Sequence, residues 1–191
     1  MKASFALPRP LLMVFFGLLL GFALMGGARA GDFVDNALLD KLFAQLKVAP
    51  DAEAARRIDQ QIWGVWSSPS DPDLARRMQQ VATDREAMNI ADAITLLNKI
   101  VVDFPTYAEG WNERATLFYM LDDYDRSLAD IDKVLQYEPR HFGALSGRAV
   151  IYLQQHKRAL ALKDITAALA LHPFLSEKSL FPELMHEVTH V

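Results

Sequence analysis

The sequence predicts an all-α, right-handed solenoid of helix-turn-helix units closed by a C-terminal helix. Three observations predict it. The chain repeats itself at a period of 34 residues, and three prolines (Pro105, Pro139 and Pro173) share that period. Each period carries two apolar stripes at helical spacing, with a turn between them. A period of this length marks stacked helix pairs, because one pair cannot bury its own apolar face.

The second unit shows the pattern most fully. Trp111 to Pro139 reads WNERATLFYMLDDYDRSLADIDKVLQYEP, and Leu145 to Pro173 reads LSGRAVIYLQQHKRALALKDITAALALHP. Trp111 aligns with Leu145, Arg114 with Arg148, Ala115 with Ala149, Phe118 with Tyr152, Ser127 with Ala161 and Ile131 with Ile165. Trp111, Ala115 and Phe118 stand at i, i+4 and i+7, one face of a first helix. Leu128, Ile131, Val134 and Leu135 make the second stripe. Asp122-Asp123 separates them, since Asp favours turns and caps. Pro139 stops the second helix. Small residues at Ala115 and Ser127 let the two helices approach closely. Shifting back one period, Ala93, Leu97, Ile100 and Pro105 fall in register, while the first half matches only at Val81.

These residues resemble the tetratricopeptide repeat family. The family has a bulky residue, a small one four places on, an aromatic seven places on, an acidic residue and Tyr in the turn, a small residue opening the second helix, and a closing proline. Trp111, Ala115, Phe118, Asp123, Tyr124, Ser127 and Pro139 occupy those places. The resemblance is strong over 108–141, good over 142–175 and partial over 74–107. Asp122 stands where the family usually has Gly, and Asp84 where it has an aromatic.

Domain organisation follows. Residues 1–30 read as a signal peptide. Lys2 and Arg9 precede an uncharged run from Leu11 to Ala28, and Ala28-Arg29-Ala30 gives a cleavage site after Ala30. An uncleaved anchor is the alternative, because a run of about 18 apolar residues just spans a bilayer. Residues 31–71 read as an N-terminal helical hairpin and linker. Ala37, Leu38, Leu39, Leu42, Phe43 and Leu46 form one apolar face. Pro50-Asp51 opens a second helix with Ala55, Ile58, Ile62, Val65 and Trp66. The expectation is a fourth, outlying unit stacked before the others. Residues 72–175 hold the three repeats, at about 74–107, 108–141 and 142–175, and 176–191 the capping helix.

Charge and composition restrict the function. Removing Lys2, Arg9 and Arg29 from the 20 basic residues leaves 17 against 24 acidic ones, a net charge of about −7. That balance disfavours nucleic acid, which needs a basic face, and anionic lipid. With no cysteine, disulfides and thiolate metal sites are excluded, and the chain suits an exported, periplasmic or secreted setting.

The segment ELMHEVTHV, residues 183–191, carries H-E-x-x-H at His186, Glu187 and His190. This spacing places two zinc-binding imidazoles one helical turn apart with a general base between them. A catalytic zinc needs a third ligand, and the sequence offers none downstream. On a helix, Phe181, Leu184, Met185, Val188 and Val191 share one sector and both histidines the opposite one. The motif is therefore read as a surface pair on the capping helix, with a small zinc-dependent hydrolase as the alternative. His141, in the turn EPRHFGAL, is expected to be exposed. Arg114 and Arg148 are expected to pair with acids such as Glu113, Asp130 or Asp164, the alternative being a cationic ladder for an acidic partner.

The resemblance implies function by surface: a non-enzymatic adaptor or scaffold in the cell envelope that holds a peptide or helix of another protein in a concave groove. Carried over by position, the groove residues are Glu109, Asn112, Thr116, Tyr119 and Met120 in one repeat and Gly143, Ser146, Val150, Leu153 and Gln154 in the next. No catalytic residue, cofactor or metal is expected, and no membrane contact once the signal is cleaved. An exposed apolar groove also allows self-association into a homo-oligomer.

Overall fold

The computed structural model describes residues 33–184. They form eight α-helices: α1 Asn36–Lys47, α2 Ala52–Ser67, α3 Pro72–Glu86, α4 Ile90–Asp103, α5 Ala108–Met120, α6 Tyr124–Tyr137, α7 Phe142–Gln154 and α8 Arg158–Leu171. Two short 3-10 turns follow, Ser176–Leu180 and Pro182–Leu184. The helices pair as α1–α2, α3–α4, α5–α6 and α7–α8, and the last three pairs stack in chain order. No described helix is long and apolar enough to cross a membrane.

Aspartates start four of the helices. Asp35, Asp51, Asp71 and Asp123 accept the N–H of Leu38, Ala54, Leu74 and Arg126, satisfying one of the donors each helix start leaves free.

The 34-residue period is written in the backbone. Met88, Asp122 and His156, one period apart, take left-handed φ values of 60°, 58° and 57°. After each, the chain closes back on the preceding helix: Asn89, Asp123 and Lys157 donate their N–H to the carbonyls of Asp84, Phe118 and Tyr152 at 2.8, 2.9 and 2.8 Å. Glycine would occupy these places with less strain. At the other end of each pair, Phe104, Glu138 and His172 donate to Ile100, Val134 and Ala168 at 2.8, 2.7 and 2.8 Å.

Arginines bind the stacked units together. Arg114 on α5 holds Asp130 on α6 in a bidentate pair, both contacts 2.7 Å, and reaches Asn98 on α4 at 2.8 Å. One period later Arg148 on α7 holds Asp164 on α8 at 2.6 and 3.0 Å and Asp132 on α6 at 2.7 Å. The expected pairing with Asp130 and Asp164 is present, so neither guanidinium is free for an acidic partner. In the first unit Gln80 stands at this place and bonds Asp84 on its own helix.

Two expectations need correction. The first concerns the N-terminal hairpin. It forms, but it does not stack before α3. It lies across the edge where the inter-repeat turns emerge, with α1 against α8 and α2 against α5. Leu39, Leu42, Phe43, Leu46, Ile62 and Trp66 share one core with Phe142, Leu145 and Ala168. The Tyr107 hydroxyl donates to the Trp66 carbonyl at 2.8 Å, and Arg140 reaches Asp40 at 2.5 Å. Phe43, Trp63 and Trp66 pack there on His141 and Phe142, and burying large rings is a major favourable term.

The second concerns the C-terminus. Of the capping helix expected over 176–191, the described part makes two 3-10 turns instead, broken at Phe181, where Pro182 has no N–H to continue the ladder. The capping contact is nevertheless present. Phe181 is fully buried against Ala149, Ala161 and Ile165, with Leu184 beside it. The signal segment 1–30 and the H-E-x-x-H residues His186, Glu187 and His190 lie outside the described residues.

Candidate functional site: the groove between α5 and α7

The first helices of the second and third repeats leave a cavity of about 320 Å³ between them. Asn112, Thr116 and Tyr119 on α5 line one side, and Gly143, Gly147 and Val150 on α7 the other. The floor is Ala115, Ser127, Ile131, Ala144 and Ile151, all buried. The groove exists because small residues stand where bulk would close it. A Cβ built on Gly147 meets nothing within 4 Å.

The polar groups of the lining are already engaged. Thr116 Oγ1 donates to the Asn112 carbonyl at 3.0 Å, and Ser127 Oγ to the Ala115 carbonyl at 2.8 Å. Tyr119 accepts from Gln154 at 3.3 Å. Asn112 Nδ2 lies 3.3 Å from both oxygens of Glu109. The surface presented is thus mainly apolar, with hydrogen-bonding edges at Asn112 and Tyr119.

The other residues expected in the groove lie elsewhere. Glu109 is 3% exposed, beneath the groove rather than in it. Ser146 faces a different cavity, on the far side of Gly143. Leu153 packs with the Phe181 core, Gln154 sits at the rim through its bond to Tyr119, and half-exposed Met120 is not in the lining.

Below the groove is a buried polar cluster that sequence reasoning missed. His141, expected to be exposed, is fully buried. Its Nδ1 accepts the N–H of Ala144 at 3.1 Å, capping α7. That assignment leaves the proton on Nε2, which donates to Glu109 at 3.1 Å. Trp66 stacks on the imidazole with ring centres 4.1 Å apart, and Trp63 meets it edge-on at 5.3 Å. The burial comes from these two indoles, which reach the turn from the N-terminal hairpin, so no local pattern around residue 141 announces it. Nearby, Arg85 grips Glu113 at 2.8 and 3.0 Å. Burial pushes the Glu113 carboxyl above its ordinary value, with Glu109 adding to the rise and Arg85 opposing it. Burial likewise raises the Tyr107 phenol.

Among known proteins, no family model matches the chain. A TPR repeat-containing protein of Rhizobium etli is 37% identical over 135 residues, 71% of this chain. The match spans 66% of that relative's own length. Among solved structures, the crystal structure of MamA is similar with a TM-score of 0.48 at 14% identity, covering 76% of this chain and 81% of that one. The relative and the 34-residue period shared by turns, caps and arginine pairs agree: the chain belongs to the tetratricopeptide repeat family.

Proposed function

We propose that the chain is an exported, non-enzymatic adaptor that binds a peptide or helix of another protein in the groove between α5 and α7. The observation that carries this reading is the groove itself. Gly147 keeps it open, its floor is apolar, and the lining hydroxyls of Thr116 and Ser127 are satisfied within the protein. Such a surface gains free energy by burying apolar side chains and holds a backbone through a few polar edges. Acidic net charge supports a protein partner over nucleic acid, and the run Leu11 to Ala28 supports export to the cell envelope.

Gly147→Trp tests the reading. Its Cβ enters open space, so the helix tolerates the change while the indole fills the groove. Envelope proteins retained by the immobilised native chain are expected to be lost by Gly147→Trp, with unchanged circular dichroism. Retention of the same proteins by both would exclude the groove as the binding surface.

A further inference from the structure

A second cavity, of about 380 Å³, adjoins the groove at Gly143, between α2, the start of α7 and the chain that follows α8. Trp63 walls it. A Cβ on Gly143 would come within 2.8 Å of the Trp63 ring, so only the indole edge stands beside that glycine. Arg56, Asp59 and Trp63 lie at i, i+3 and i+7 on α2 and share a face. His172 and Glu177 close the opposite side.

The charges in this cavity are unbalanced. The Asp59 carboxylate accepts the Trp63 indole N–H, and His172 Nε2 lies 3.7 Å away, beyond hydrogen-bond distance. His172 is 5% exposed, and its Nδ1 is used by the N–H of Phe174 at 3.3 Å. Its other ring nitrogen, Nε2, is the one nearest Asp59. Burial holds His172 below its ordinary value, so it is neutral at pH 7, and burial raises Asp59. Glu177 receives only hydroxyls, Ser146 at 3.4 Å and Ser176 at 3.1 Å. Arg56 is exposed at the rim, where solvent and salt weaken its field. Two carboxylates and an indole thus line one cavity with no cation seated between them.

We propose that this cavity takes the cationic side chain of a lysine or arginine belonging to the partner segment whose apolar side chain fills the groove between α5 and α7. The proposal rests on the groove-binding reading above. Charge complementarity with Asp59 and Glu177 selects the cation. Gly143 lines both cavities, and that continuity favours one peptide over a free amine. The excess of acidic over basic residues acts in the same direction.

The test is a ¹H–¹⁵N titration of the purified chain with acetylated peptide amides that carry one leucine and one lysine joined by glycine spacers of increasing length. Counterparts replace lysine with norleucine, and spermidine is titrated alone. The Trp63 indole and the Gly147 amide report on the two cavities. Expected is a lysine peptide that moves both signals and binds about tenfold more tightly than its norleucine counterpart, which moves Gly147 only. Asp59→Asn and Glu177→Gln, each checked by circular dichroism, are expected to remove that preference and leave the Gly147 shift. Equal binding of the lysine and norleucine peptides, or a preference that survives in both variants, overturns the cation site and leaves the groove standing. Lysine peptides that move Trp63 but never Gly147 keep the cation site and reject the groove. Spermidine binding as tightly as the best peptide overturns the assignment to a partner side chain. If neither signal moves, both readings fall.

Discussion

The α1–α2 and α5–α6 hairpins are built alike and placed differently. Both are antiparallel helix pairs with an Asp-capped helix and an apolar stripe. The α5–α6 pair stacks between its neighbours, bound through Arg114 to Asp130 and Asn98 and through Asp132 to Arg148. The α1–α2 pair lies crosswise on the turns and is held by rings: Trp66 on His141, Trp63 beside Gly143, Phe43 against Phe142. The difference shows that an amphipathic hairpin does not by itself join a stack. The α5–α6 and α7–α8 pairs are matched by periodic small residues and charged pairs. A hairpin with large aromatics instead finds the edge where the turns expose buriable surface.

The largest expected effect breaks the crosswise pair. Trp66 is 2% exposed, and Trp66→Ala removes its stack on His141, at an expected cost of about 3–5 kcal/mol in urea denaturation. If the hairpin were a loosely attached appendage, the midpoint would barely move. Next comes the stacked region. Asp164→Ala leaves the Arg148 guanidinium, 20% exposed, without its bidentate partner, at an expected cost of about 3 kcal/mol. Gln80→Ala, at the first unit's counterpart of Arg148, is expected to stay within about 0.5 kcal/mol. Equal costs would show that the ladder does not bind the stack.

A matched pair of glycines sharpens the boundary between the two regions. Gly143→Ala drives a methyl into Trp63 at 2.8 Å and is expected to cost about 1–3 kcal/mol. Gly147→Ala, with open space around it, is expected to stabilise α7 by up to about 1 kcal/mol. Thermal melts of the two variants give opposite signs if the hairpin sits where described. The smallest effect is on pH dependence. Burial depresses His172 from its ordinary 6.5, with Asp59 and Glu177 facing it. Its contribution to stability is therefore present above that value and lost as pH falls through the depressed one. The melting temperature of the native chain is expected to fall more between pH of about 7.5 and about 5.5 than that of His172→Asn. Parallel curves would remove His172 from the account.

What the sequence made legible is what recurs. The period placed Pro105, Pro139 and Pro173 at the ends of helices, and the recurrence of Arg114 and Arg148 marked the charged pairs. Asn112, Thr116, Tyr119 and Val150 fall in the groove lining because their places follow from the same period. What occurs once was not legible. Trp66 meets Tyr107 across 41 residues and Asp40 meets Arg140 across 100, and no periodicity links such positions. Those contacts bury His141 and, through it, engage Glu109 below the groove. Ser146 was assigned to the groove by period alone, yet the chain after α8 turns back toward it and brings Glu177 to its hydroxyl.

The most direct test of the central claim is hydrogen exchange of the chain with and without a captured partner. Added protection is expected along α5 from Asn112 to Met120 and along α7 from Gly143 to Gln154, with Trp63 and its neighbours on α2 following. Protection confined to α3, α4 or the outward face of α6 and α8, with α5 and α7 unchanged, would contradict it.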